Sequence, residues 1–135
     1  MPWEISDDEA RASFEVMRVD DLPHIDRADI TVLPSPDRPC GCYWCEPDWK
    51  SIAEASVTIL EAGVDPLDHA AIDARAREFD LDSESREWLH SLFSPVNGII
   101  VIRDSHVFTN GMHRTHALRM ARVIRCVVYT GRGET

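Results

Sequence analysis

The 135-residue chain bears 14 Lys+Arg against 24 Asp+Glu, a net charge of −10, with 44% hydrophobic residues. That length suits one domain with a real core, and that charge argues against direct nucleic-acid binding, whose affinity comes largely from contacts to phosphate. No apolar run approaches a membrane span, and the opening "MPWEISDDEARASFE" lacks the basic and apolar regions of a secretion signal, so a cytoplasmic protein is expected.

In chain order, residues 1–20 read as a short acidic helix with Ser6 as its N-cap. "DITVLP" (29–34) alternates like a short strand, and "PSPDRPCGCYWCEPDW" (34–49), with four prolines and three cysteines, reads as a constrained loop. "SIAEASVTILEAG" (51–63) predicts a helix capped by Ser51 and stopped by Gly63. A second helix is expected in "DPLDHAAIDARAREFD", with Asp65 as N-cap and Pro66 at its first position. A third lies in "DSESREWLHSLF", where Trp88, Leu89, Leu92 and Phe93 share a face. "GIIVIRD" and "HVFTN" then read as strands, "HRTHALRMAR" as a helix and "VIRCVVY" as a final strand, whose alternation places Cys126 in the core with Ile124 and Val128.

Charge divides unevenly between the two halves. Residues 1–90 balance to −14, whereas residues 91–135 balance to +4. The acidic part either keeps a small protein soluble or offers a face to a protein partner. The later arginines suit an anionic ligand.

Cys40, Cys42 and Cys45 fall within six residues. In a reducing compartment these are not expected to form disulfides. Three thiolates at that spacing, with a fourth ligand from Cys126, His24, His69 or His90, suit a structural Zn²⁺ with a closed shell. Such a metal stabilises a loop without reacting; free thiols, or an iron–sulfur or redox role, are the alternatives.

The densest chemistry lies in "NGMHRT", residues 110–115. A strand that turns through glycine into a helix presents unpaired first-turn N–H groups and the positive end of the helix dipole. Here Asn110 is a candidate cap and Gly111 allows close backbone approach. Arg114 can grip two phosphate oxygens, Thr115 can add a hydroxyl, and His113 can donate or carry a proton. His116 lies one turn on, where with His113 it could form a two-histidine metal pair, and Arg119 and Arg122 continue the helix with a basic stripe. The alternative is a plain turn into a helix whose arginines face water.

"GIIVIRDSHVFTNGMHRTHALRMARVIRCVVY" resembles the C-terminal half of the ParB/sulfiredoxin-like fold, over roughly residues 85–130. That family runs through an apolar strand, a short hairpin, a G-x-[HR]-R turn opening an Ala-rich helix, and a last strand. Gly111, His113 and Arg114 match the turn. The resemblance implies an α+β domain with a small mixed sheet, and a site for ATP or CTP with Mg²⁺, with phosphotransfer or hydrolysis open to it. Sulfiredoxins carry a reactive cysteine where this chain has Met112, and a thioether cannot serve as that nucleophile. The DNA-partitioning branch adds a helix-turn-helix after this module, so centromere binding is not expected.

The expectation is thus one α+β domain over 1–135. An acidic helical part (1–84) carries the zinc-stabilised loop at 34–49, and the ParB/sulfiredoxin-like core follows at 85–130. The leading function is binding of a nucleotide or other phosphate ligand at Asn110, Gly111, His113, Arg114 and Thr115, with His113 and Arg114 as candidate catalytic residues. The rival is a non-catalytic, zinc-stabilised interaction protein that uses its acidic face to bind or inhibit a protein.

Overall fold

The computed structural model describes residues 6–25, 47–95, 97–102 and 107–131. The expected strand at 29–34 and the cysteine loop with Cys40, Cys42 and Cys45 lie outside the described residues.

Among the described residues, five helices pack with a four-stranded mixed sheet, a small α+β fold as expected. Helix α1 (Asp7–Ala12) leads into β1 (Phe14–Arg18) and a 3₁₀ turn at Val19–Asp21. Then come α2 (Trp49–Glu61), α3 (His69–Ala76) and α4 (Ser83–Leu92). Strands β2 (Ile100–Ile102) and β3 (Val107–Asn110), helix α5 (Met112–Met120) and strand β4 (Arg125–Gly131) complete the order.

The sheet runs β1-β4-β2-β3, with β4 antiparallel to β1 and parallel to β2, and β2 antiparallel to β3. Strand β4 is therefore central. Cys126, Val127, Val128, Tyr129 and Thr130 are all buried along it. Such a run belongs to a strand covered on both faces, which removes the alternation that would mark a half-exposed strand. Ile124, expected inside with Cys126, precedes β4 and is 67% exposed.

The N-terminal helix ends sooner than its composition suggests. Phe14–Arg18 pairs with β4 in the register Phe14 to Tyr129 and Val16 to Val127. The Phe14 ring meets Tyr129 edge-on at 5.1 Å and lies 6.2 Å from Phe93. Burial of that aromatic against the sheet outweighs the few tenths of a kcal/mol per residue at stake in local helix propensity.

Two caps also move. Helix α2 starts at Trp49 with Asp48 as N-cap, and Ser51, the expected cap, donates its hydroxyl to Asp48 at 2.8 Å. This start brings fully buried Trp49 into the helix and onto Trp88, 5.4 Å away edge-on. Helix α3 starts at His69 with Asp68 as cap. Asp65 instead closes a turn, its carboxylate accepting from the Leu67 N–H and from Arg11, each at 2.9 Å. The predicted face of α4 is as expected, with Trp88, Leu89, Leu92 and Phe93 buried. Helix α2 lies against β4 and α4, and α5 touches α2 and the 3₁₀ turn.

Candidate functional site

The "NGMHRT" segment joins β3 to α5. Asn110 is the last residue of β3, and Gly111, not Asn110, holds the N-cap position of α5, with no side-chain cap. Gly111 has φ 93 and ψ 14, a left-handed conformation that favours glycine. It also has a close neighbour: a Cβ at this position would stand 2.6 Å from Ile99 Cα and 3.1 Å from Ile99 Cβ. The close approach that glycine permits is therefore to the backbone leading into β2. This is a packing reason for a residue singled out as a phosphate contact.

Past the glycine, the Thr115 N–H closes the first helical bond to the Gly111 carbonyl at 2.9 Å. Met112, His113, Arg114 and His116 are half-buried. Arg114 reaches α4, where its Nε donates to Ser91 Oγ at 3.3 Å and its guanidinium carbon sits 5.5 Å from the centroid of the Trp88 ring. Ser91 Oγ itself donates to the Trp88 carbonyl at 2.6 Å. An arginine set over an indole, with its Nε donating to Ser91, is positioned before any ligand arrives.

Thr115 is fully buried, and its Oγ1 has no hydrogen-bond partner among the described residues. A buried hydroxyl left so costs about 1–3 kcal/mol. In a helix interior such a hydroxyl ordinarily turns to the carbonyl four residues back. The first turn of α5 holds no acidic residue to oppose an anion. Glu87, an acidic residue near the motif in sequence, is an exposed residue of α4.

The expected basic stripe divides into two different roles. Arg119 is structural: its Nη2 faces the carbonyls of Val19, Leu22 and Pro23 at 3.4, 3.0 and 3.1 Å, tying α5 to the 3₁₀ turn. Arg122 ends the helix. The Arg122 N–H donates to the Arg119 carbonyl and the Val123 N–H to the Leu118 carbonyl, the paired bonds of a Schellman stop. Arg122 therefore takes the left-handed position, φ 58, where glycine is the usual residue.

The potential metal ligands are scattered among the described residues, where no three His, Cys, Asp or Glu side chains group to hold an ion. Cys126 is fully buried within β4, where burial pushes its thiol up to about 12, despite a hydrogen bond with Ser56. His90 is engaged with Asp73 at 3.2 Å, and its ring lies 5.9 Å from that of His69.

Sequence reasoning missed the groove of about 570 Å³ between α2, residues 79–81 and the turn after α5, and a smaller hollow of about 440 Å³ beside it. Arg122, Val123 and Ile124 form the ridge common to both. The left-handed arginine is conspicuous only in three dimensions.

Among the described residues no helix is long and apolar enough to cross a membrane. Comparison with known proteins finds no matching family model, no matching curated protein and no matching solved structure.

Proposed function

We propose that this protein is a ParB/sulfiredoxin-like domain that binds a phosphate-bearing ligand, a nucleotide by preference, at the amino end of α5. The observation that carries the reading is the buried Thr115 hydroxyl without a partner, next to an arginine already oriented by Trp88 and Ser91. A ligand oxygen reached by that hydroxyl recovers a hydrogen bond that the free protein forgoes. The order β2, β3, α5, β4, with β4 parallel to β2, supports the family resemblance.

In this proposal the helix dipole and first-turn amides favour the anion, Arg114 clamps it, and Asn110 and Gly111 shape the turn. His113 donates to the phosphate and, in a catalytic version, carries the proton during transfer or hydrolysis. Mg²⁺ on the phosphates of ATP or CTP would neutralise charge. Zinc at Cys40, Cys42 and Cys45 belongs to the same proposal as a structural element, and elemental analysis of purified protein tests it. Metal content near zero, with Cys40, Cys42 and Cys45 all titratable, removes zinc.

Calorimetry with ATP, CTP and GTP in Mg²⁺ tests the site in wild type, Thr115→Val and Arg114→Ala. Thr115→Val removes the hydroxyl at nearly constant shape. It should leave the free protein as stable or more so while weakening nucleotide binding. Undetectable binding of all three nucleotides by the wild type overturns the reading.

The non-catalytic interaction protein is favoured by a different observation. Gly111 and Arg114 already have packing roles at Ile99 and Trp88. Asp7 and Asp8 give α1 an exposed acidic start suited to a basic protein partner.

A further inference from the structure

The surface after α5 stands apart from the nucleotide proposal. Among the described residues only Met120 and Ile124 are large hydrophobics that are exposed, at 38% and 67%, and they are four residues apart. Ile124 is not on a loose loop. Its carbonyl accepts from the Val19 N–H at 2.8 Å, the Schellman bonds fix the residues before it, and Arg119 ties the helix end to the 3₁₀ turn. The ridge is held in place before any partner meets it, which lowers the ordering cost of association.

Beside the ridge runs the 570 Å³ groove, whose wall includes Val57, Leu81 and Val123. Four charged side chains on its rim have no hydrogen-bond or ion-pair partner among the described residues: Lys50 and Arg122, Glu54 and Asp80. Arg125 and Glu61 face each other at 3.5 Å, so the groove's charges cancel. The whole chain carries −10, and two copies repel over most approaches. A charge-balanced patch is where that repulsion is weakest. A patch holding a ridge, a groove and unpaired charges of both signs can complement its own image about a two-fold axis.

We propose that a second copy of this chain docks here. Ile124 of each copy enters the groove of the other, and the rim cations of one copy meet Glu54 and Asp80 of the other. The Arg122 guanidinium serves this contact from the left-handed stop of α5, where glycine would cost less.

Sedimentation velocity on the full chain, from about 10 to about 500 µM, reads the assembly directly. The wild type should move toward twice the monomer mass. Ile124→Glu should weaken association at least about tenfold while its circular dichroism and Tm stay those of the wild type, since the position is largely exposed. Arg122→Glu should weaken it as well, and adding Asp80→Arg to Arg122→Glu should restore part of the loss. A wild type that stays monomeric throughout overturns the proposal, as does an Ile124→Glu variant that associates equally well. A fall in Tm in Ile124→Glu at concentrations where both are monomeric also overturns it, by placing the ridge inside the monomer's own packing.

Discussion

Gly111→Ala isolates why this turn needs glycine. Two costs add at the site. An L residue at positive φ loses about 1–2 kcal/mol, and Gly111 sits at φ 93. The new methyl would also stand 2.6 Å from Ile99 Cα, a backbone atom at the entry to β2 that cannot rotate away. Overpacking of this kind costs about 1–3 kcal/mol, so the total is about 2–5 kcal/mol, a large share of the roughly 5–15 kcal/mol that holds a domain together. Gly63→Ala is the control within the same protein. Gly63 has φ 82 and nothing within 4 Å of an added Cβ, so it bears the conformational cost alone. Urea unfolding of both variants, compared at equal m-values, should place Gly111→Ala below Gly63→Ala by about the overpacking cost, 1–3 kcal/mol. Equal losses would refute the claim that the turn is shaped by its contact with Ile99.

Arg122→Gly should stabilise the monomer by up to about 1.5 kcal/mol, the relief of about 1–2 kcal/mol of left-handed strain less about 0.5–1 kcal/mol for the greater entropy glycine loses on folding; a loss in urea midpoint would contradict the Schellman assignment. Arg119→Met keeps the aliphatic stem and removes the donors to the Val19, Leu22 and Pro23 carbonyls, and should cost about 1–3 kcal/mol in the same assay. Stability should fall in acid. The Leu67 N–H and then Arg11 hold the Asp65 carboxyl below its usual range, Arg77 and then His90 do so for Asp73, and the Ser85 N–H does so for Asp82. Their folded values lie below the unfolded ones, so this stabilisation is present above about pH 4 and drains away as pH falls through the lower folded values. Unfolding free energies from pH 7 down to about pH 3 should show that slope, and Asp82→Asn should flatten it.

Much of the fold was legible where signals are local. Trp88, Leu89, Leu92 and Phe93 repeat at helical spacing, and β4 is marked by a run of apolar residues. Strand β1 was hidden because its partner Tyr129 lies more than a hundred residues from Phe14, while the nearby Ala and Glu favour helix. The caps of α2 and α3 moved because two capping residues stand at each start, Asp48 or Ser51 and Asp65 or Asp68. Burial of Trp49 and the turn across Pro66 decide between them. Gly111 shows the limit most plainly. A glycine between strand and helix reads alike whether the close neighbour is a phosphate or the backbone of Ile99, and only the fold brings Ile99 there. Arg119 and Arg122 look equivalent by spacing, yet one is tied to carbonyls and the other terminates the helix.

The central claim concerns where an anion binds, so residue-resolved titration tests it most directly. Amide ¹H–¹⁵N spectra of the wild type are recorded as ATP or CTP is added with Mg²⁺, and again with inorganic phosphate. Saturable shifts centred on Gly111 through Thr115, and lost in Thr115→Val, are the predicted result. Spectra unchanged by all three ligands, or shifts confined to Arg122–Arg125 at the other end of α5, would contradict it.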